Sequence, residues 1–297
     1  MMRKFYYQFI LFLSRTFGAW VLPIFIWPIT TAFFLLFPGR VAVGLRFYRA
    51  LFTDKGRLYP LWCTWRQYHN FSKLFADRYL LHRGGDISYT SEGREHLLKA
   101  VTEKTGGIIL MSHMGNWETA AGLLKQQQAD MRLMLFMGRK HKEKIGAYIK
   151  DGLARGGIRI VGVDPEGASP LDLIEGIQFL RDGGLISLTG DRPWSGKERT
   201  VTVRFLGHEA RVLEAPHMIA LLSGAPIFIL FAFRAAKRQY YFSVSEPLYV
   251  RAASRTDRRR ALHESAQQYA DQMERMLRLY PLEWFNFEPF LGPEISN

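Results

Sequence analysis

Hydrophobic and polar positions follow one pattern before residue 86 and another after it. Residues 41–85 carry aromatic and basic side chains at helical spacing, as in "RFYRALF" and "WRQYHNFSKLFADRYLL", which predicts amphipathic helices. Further on, short apolar runs such as "GGIILMS" and "LISLTGD" alternate with helical segments such as "PLDLIEGIQFLRDGG". Strands separated by helices of this length predict an α/β fold with a mainly parallel central sheet flanked by helices.

The same pattern of apolar and polar positions predicts the remaining elements of this α/β domain. Strands are predicted at "DISYT", "MRLMLFM", "IRIVGV" and "PIFILFAF", and helices at "GREHLLKAVTEKT", "HKEKIGAYIKDGLARGG" and "EAPHMIALLSG". "KRQ" predicts a turn into "YYFSVSEPLYV", antiparallel to the strand before it, and a last helix is predicted from about Arg255 to Leu279, stopped by Pro281. Because no repeat or linker interrupts the pattern, residues 41–297 are predicted to form one domain.

An uncharged apolar segment precedes this domain. No residue from Thr16 to Gly39 is charged, and these 24 residues exceed the roughly 20 that cross a bilayer as a helix. Residues 1–40 are therefore predicted to anchor the chain to a membrane. Pro23 and Pro28 would kink such a helix, so a re-entrant or interfacial segment is an alternative, as is a buried helix of a soluble protein. Basic residues on both flanks leave its orientation open.

The charge of the chain is concentrated in its N-terminal half. Residues 1–150 hold 22 basic and 9 acidic side chains, whereas residues 151–297 hold 18 of each. A basic region suits nucleic acid, anionic lipid headgroups or an acidic protein. The adjacent apolar segment favours an anionic membrane surface, so no nucleic-acid partner is expected.

One histidine stands where a strand is predicted to end and a helix to begin. In "IILMSHMGNWETAAGLL", His113 is followed five positions later by Glu118, with Gly115 and Asn116 between them. Ligands of open α/β sheets gather at such strand ends. A glutamate bonded to one ring nitrogen would leave the other nitrogen as a general base for an alcohol. The alternative is that His113 is a hydrogen-bonded strand-end residue and Glu118 a charge at a helix N-terminus.

Several other kinds of site are disfavoured. The single cysteine, Cys63, excludes an internal disulfide framework and a cysteine-rich metal site. The histidines are scattered and no His-Glu-x-x-His occurs, so no metal is predicted. No glycine-rich nucleotide loop is present, and no Gly-x-Ser-x-Gly supplies a nucleophile. No cofactor is predicted.

The segment "SHMGNWE" resembles the His-x4-Asp/Glu signature of the lysophospholipid acyltransferase superfamily, and more closely the His-x-Gly-Asn-Trp-Glu form of the bacterial lipid A late acyltransferases. "GRK" at 138–140, "ARGGIRIV" at 154–161 and "GDRPWSG…VRFLG" at 190–207 resemble further blocks of that family, and "APHMIALLSGAPIFI" resembles the helix and strand that follow. The resemblance covers most of residues 1–290.

Two departures from the family pattern concern the acceptor. Asp191-Arg192 stands where the lipid A enzymes usually have Asp-Gln, and "YPLEWFNFEPFL" lacks the basic residues expected near the C-terminus. Acyltransferases acting on lysophospholipids or on aryl-polyene-type lipids are therefore alternatives, although the "F-P-E-G-T-R-S" pattern of the glycerophospholipid branch is missing. A non-catalytic basic protein of the membrane surface is an alternative of another class.

The resemblance implies transfer of a fatty acyl group from a thioester of acyl carrier protein or coenzyme A to a hydroxyl of a membrane lipid. It also implies a place at the bacterial inner membrane, with the site on the cytoplasmic face. His113 would deprotonate the hydroxyl, and Glu118 would orient His113. The predicted substrate-binding residues are Gly115, Asn116, Arg139, Arg155, Asp191 and Arg192. A structural role for Asp191 and a surface role for each arginine are the alternatives.

Overall fold

The chain divides into two compact units that are not continuous in sequence. The computed structural model describes residues 22–81, 88–117, 131–138, 158–163, 170–193, 198–236 and 239–295. The first unit draws its described residues from 22–81 and 280–289, and the second from 88–279 and 290–295. The boundary predicted at residues 40 and 41 falls inside a helix of the first unit, Pro38–Leu51.

The described residues of the first unit form three helices, and two of them are those predicted between residues 41 and 85. They are α1 (Leu22–Leu36), α2 (Pro38–Leu51) and α3 (Leu58–Leu81). Gly44 of α2 lies against Thr64 of α3, where a Cβ atom would come within 2.5 Å of the threonine methyl group. The missing side chain therefore lets α2 and α3 pack closely.

The aromatic segment 280–289 completes the core of this first unit. Trp284 and Phe285 are only 2% and 4% exposed. Their rings pack against Phe47 of α2 and Phe71 of α3, with centroid distances of 4.9 and 5.4 Å. The aromatic side chains that distinguish this C-terminal segment thus serve core packing.

The apolar segment near the N-terminus is bent in its described part. Among the residues that the structure describes, no single helix has both the length and the apolar composition to cross a membrane. Ile24–Leu36 and Pro38–Leu51 pass that test only as a pair, bent by 89°. The break lies at Phe37, because the residue before a proline avoids the helical conformation, whereas Pro28 lies inside α1. A membrane anchor at residues 1–40 stays a prediction.

The second unit contains the predicted α/β alternation. Its described helices are α4 (Arg94–Thr102), α5 (Pro170–Arg181), α6 (Ala215–Ser223) and α7 (Arg258–Leu279). Its strands are β1 (Ser88–Glu92), β2 (Gly107–Gly115), β3 (Leu133–Gly138), β4 (Arg159–Val163), β5 (Leu185–Thr189), β6 (Thr200–Phe205), β7 (His208–Leu213), β8 (Ile227–Ala236), β9 (Gln239–Val244) and β10 (Leu291–Glu294). The helix predicted at 141–157 lies outside the described residues.

Seven strands of the described residues form the central sheet, in the order β1-β9-β8-β2-β5-β3-β4. Every neighbouring pair is parallel except β8 and β9, which are antiparallel as predicted. β2 and β5 are central strands whose residues are almost all buried, so their continuous apolar runs match a sheet covered on both faces. The prediction of a mainly parallel sheet is confirmed.

Three antiparallel strands within the described ranges, in the order β10-β7-β6, form a second sheet that was not predicted. Leu206 and Gly207 connect β6 to β7 with φ angles of 51° and 76°, the conformation of a two-residue type I′ hairpin turn. Such turns favour Asn-Gly or Asp-Gly, so Leu206-Gly207 gives little sequence signal. The backbone N–H of Leu206 donates to Glu274 of α7 at 2.8 Å, which holds the turn in place.

Candidate active site

His113 lies where the regular pairing of β2 ends. The ladder with β5 runs to Met111, and the ladder with β8 is irregular between Met111 and Gly115. His113 is the one residue of β2 that is not fully buried, and its side chain is 19% exposed. The imidazole is therefore held at the carboxyl end of a central strand and is still accessible.

Asp191 binds both the ring and the backbone of His113. Its Oδ1 lies 2.8 Å from the Nδ1 atom of His113, and its Oδ2 accepts the backbone N–H of His113 at 2.9 Å. The Asp191 side chain is completely buried. Two contacts to one residue from a buried carboxylate fix both the position of the strand end and the direction of the imidazole ring.

This contact determines which ring nitrogen can accept a proton. An ionised carboxylate only accepts hydrogen bonds, so the Nδ1 atom of His113 carries the hydrogen that Asp191 receives. In the neutral ring the Nε2 atom is then left as the proton acceptor. The same carboxylate would stabilise the positively charged imidazolium once Nε2 takes a proton. The described geometry therefore suits the Nε2 atom of His113 to accept a proton, with the ring oriented by Asp191.

Tyr269 of α7 fixes the backbone beneath this pair. Its hydroxyl donates to the carbonyl of Met111 at 2.8 Å, and the same carbonyl accepts the N–H of Gly190 at 2.9 Å. A Cβ atom on Gly190 would lie 3.0 Å from the Tyr269 ring, so glycine permits this contact. Burial, and then the charge of Asp191, raise the pKa of Tyr269 well above its usual value, which keeps the hydroxyl a neutral donor.

Gly115 and Asn116 form a tightly packed turn after His113. Gly115 has a φ of +68°, and a Cβ atom there would lie 1.9 Å from the carbonyl oxygen of Ala232. Asn116 donates its backbone N–H to that oxygen at 2.7 Å and its side-chain amide to Tyr240 at 3.0 Å. Both residues thus join the end of β2 to β8 and β9, and their predicted contact with substrate stays a prediction.

The other predicted site residues divide into two groups. Arg192 directly follows Asp191 and is partly exposed. Glu118, Arg139 and Arg155 lie outside the described residues, so the predicted contact between Glu118 and His113 stays a prediction. In the part of the chain that the structure describes, no three His, Cys, Asp or Glu side chains cluster as a metal site requires.

A buried histidine near Tyr269 was missed by the sequence reasoning. His217 of α6 is fully buried, and its Nδ1 lies 2.7 Å from the Ser265 hydroxyl of α7. Its ring centre is 6.2 Å from that of Tyr269. Burial lowers the pKa of His217 to about 4, so it is neutral near pH 7. Only its place in the apolar helix "APHMIALLS" hinted that it packs in the core.

Comparison with known proteins finds one family, which matches more than half of the chain. The sequence model of a family described as bacterial lipid A biosynthesis acyltransferase matches residues 80–291. This range includes His113, Asp191, Tyr269 and the turn at Gly115 and Asn116. No curated protein matches the chain significantly.

Proposed function

Because the chain belongs to the bacterial lipid A biosynthesis acyltransferase family, we propose that it transfers a fatty acyl group from a thioester to a hydroxyl group of a membrane lipid. The observation that carries this proposal is the accessible imidazole of His113, held through its Nδ1 atom by the buried carboxylate of Asp191. That arrangement is suited to deprotonating an alcohol at the end of a strand.

The proposed reaction needs no covalent enzyme intermediate. The Nε2 atom of His113 removes the proton from the acceptor hydroxyl, and the oxygen attacks the thioester carbonyl carbon. The tetrahedral intermediate collapses by breaking the carbon–sulfur bond, which yields the ester and a thiolate. The imidazolium of His113 returns its proton to that thiolate, so His113 ends the cycle neutral.

Asp191 is proposed as the residue that orients His113, a role first assigned to Glu118. Since Asp191 already accepts from Nδ1, a second carboxylate bonded to Nε2 would block the proton acceptor. Glu118 is therefore proposed to act beside the ring, on the substrate or on the loop, and to leave Nε2 open.

Three arginines are proposed to bind the charged parts of the substrates. Arg139, Arg155 and Arg192 are candidates for phosphate groups of the donor or acceptor, because a guanidinium binds phosphate with two parallel hydrogen bonds. Arg139 is also a candidate for stabilising the oxyanion of the tetrahedral intermediate. Arg192 is the one whose position is described, next to Asp191 in the chain.

The donor is proposed to be a thioester of acyl carrier protein or of coenzyme A. The excess of positive charge in residues 1–150 would attract an acidic carrier protein, and it equally suits an anionic membrane. We place the protein at the bacterial inner membrane, with the active site facing the cytoplasm.

Mass spectrometry of total lipid extracts tests the proposed activity. Cells lacking the protein, and cells producing the natural chain or the His113→Ala variant, are compared for a lipid that gains one acyl group. We expect that lipid only with the natural chain and with a control, His263→Ala, which replaces an exposed histidine of α7. Equal amounts of the acylated lipid with His113→Ala would overturn the proposal.

A further inference from the structure

A basic cavity lies between α2 and α3 of the first unit, and none of the residues that line it is assigned to the candidate active site. Its volume is about 490 Å³, within the range of cavities that bind small ligands. Arg49, Phe52, Thr53, Lys55, Arg57 and Pro60 line it. The lining thus contains three positive groups and a hydroxyl but no carboxylate, which is the chemistry of an anion site.

The positive groups of this cavity are available to a ligand. Arg49 and Arg57 are exposed, and within the described residues neither guanidinium has a hydrogen bond or an ion pair. Lys55 contacts the neighbouring Asp54 at 3.0 Å, but both side chains are about half exposed or more, so this pair contributes little. Residues 40–73 contain seven basic side chains and only this one acid, so the local charge stays positive.

Contacts between aromatic rings give the cavity a defined shape. Phe52 meets the ring of Tyr59 edge to face at 5.1 Å between centres, and Tyr59 stacks on Trp62 at 5.6 Å. Backbone hydrogen bonds from Phe52 to Tyr48 and from Tyr59 to Gly56 close the two ends of the loop. The loop that carries Lys55 and Arg57 is therefore held between α2 and α3, which reduces the entropy lost on binding an anion.

Large apolar side chains next to the cavity remain in contact with solvent. Leu58, Leu61 and Trp62, in the first turns of α3, are 79%, 38% and 47% exposed. Apolar and aromatic side chains beside basic groups are typical of surfaces that enter the headgroup region of an anionic bilayer. An acidic protein would neutralise the positive charge of the cavity, but it would not explain why the apolar side chains at the start of α3 are exposed.

We propose that this cavity binds the phosphate of an anionic membrane lipid, with Arg49, Lys55 and Arg57 around the headgroup and Leu58, Leu61 and Trp62 in the acyl region. Like the proposed function, this proposal involves a membrane lipid. It does not depend on the chemistry of His113. It assigns the recognition of anionic lipid to a defined site instead of to the net charge of the chain.

Sedimentation of the purified full-length protein with vesicles tests this site. The vesicles consist of phosphatidylcholine, with or without phosphatidylglycerol. We expect the variant carrying Arg49→Gln, Lys55→Gln and Arg57→Gln to bind the phosphatidylglycerol vesicles about 100-fold more weakly than the natural chain, because each basic residue at an anionic surface contributes about fivefold. Binding to phosphatidylcholine alone should not change.

A matched variant separates the cavity from general charge. Arg211→Gln, Arg255→Gln and Arg259→Gln remove three exposed arginines from the second unit, and we expect this triple variant to bind almost normally. Equal losses in the two triple variants would overturn the proposal, since net charge alone would then explain binding.

Three further measurements identify the ligand and separate this site from catalysis. Inorganic phosphate should displace the vesicles no better than chloride of equal ionic strength; stronger displacement would mean a site for free phosphate. The variant with Arg49, Lys55 and Arg57 replaced by glutamine is also tested for binding to an acidic carrier protein. If it lost that binding but still bound vesicles normally, the proposal would be overturned. His113→Ala should bind vesicles normally, so failure of the proposed activity and failure of this site give different results.

Discussion

Charged side chains lie both at the end of strand β2 and in the loop between α2 and α3, but they are buried and paired at the first and exposed at the second. At the first, Asp191 is fully buried and each of its oxygens binds His113. At the second, Arg49 and Arg57 are exposed and have no partner among the described residues. Substitutions at the first region should therefore cost activity and stability, whereas substitutions at the second should cost binding alone.

The largest expected effect is that of Asp191→Asn on acyl transfer. Asparagine keeps the size of the side chain, but its amide can donate to the Nδ1 atom of His113 and favour the wrong tautomer. We expect the rate of lipid acylation to fall by about 10²- to 10⁴-fold, the range that general base catalysis contributes. The product lipid is quantified by mass spectrometry, with thermal unfolding as the check on folding.

Glu264→Gln is the matched control for Asp191→Asn, because it makes a similar change at an exposed glutamate of α7. It should leave the rate unchanged. An active Asp191→Asn protein would mean that Asp191 has only a structural role.

The next largest effect is expected for Gly115→Ala on stability. Gly115 has a positive φ, and an added Cβ atom would lie 1.9 Å from the carbonyl oxygen of Ala232, so there is no room for a methyl group. The free energy of unfolding should therefore fall by roughly 3 kcal/mol or more. Gly207→Ala, at a similar φ but in open space, should cost about 1 kcal/mol. Urea unfolding of both variants measures the difference, and equal losses would show that the turn at Gly115 is not tightly packed.

A smaller effect on stability is expected from the ionisation of His217. Burial lowers its pKa from 6.5 to about 4, so the unfolded chain binds the proton more readily than the folded chain. The stability that the neutral ring contributes is fully present above pH 6.5 and is lost as the pH falls toward 4. At pH 4.5 the natural protein should have lost about 2 to 3 kcal/mol relative to His217→Gln, which cannot titrate there.

The comparison with His217→Gln removes the effect of the carboxyl groups, because these titrate in both proteins. Urea unfolding at pH 7.5, 5.5 and 4.5 follows the difference in free energy between the two proteins. A difference that is constant over this range would mean that His217 is accessible to water.

The smallest effect on stability is expected at the basic cavity. Replacing Arg49, Lys55 and Arg57 by glutamine removes no buried contact, so the free energy of unfolding should change by less than about 0.5 kcal/mol. Thermal unfolding of the triple variant measures this. A clear loss of stability would show that these cations support the first unit, and the contrast between the two regions would then disappear.

The parallel sheet, and the position of His113 at the end of a strand, could be predicted from the sequence because both depend on local patterns. Apolar runs such as "GGIILMS" predict strands, and the residue that ends such a run lies at the edge where ligands gather. The partner of His113 could not be predicted in this way. Asp191 is 78 positions away, and it meets His113 because β2 and β5 are neighbours in the sheet, an order that the sequence does not encode locally.

Both "LMSH" and "SLTGD" end predicted strands, so knowing that these strands are neighbours would have been enough to pair His113 with Asp191. Other contacts could not be predicted for the same reason. Tyr269 reaches Met111 from a helix far along the chain, and the return of residues 280–289 to the first unit depends on contacts with α2 and α3. Such pairings follow from tertiary structure, which periodicity does not specify.

The most direct test of the account is the protonation of the His113 ring, observed by nitrogen-15 NMR of histidine-labelled protein, with the signal assigned by its absence in His113→Ala. We predict that the ring in its neutral form carries its hydrogen on Nδ1, that Asp191→Asn changes this tautomer and that Glu118→Gln leaves it unaffected. A ring protonated on Nε2, or one that Asp191→Asn leaves unchanged, would contradict the assignment of Asp191 as the partner of the general base.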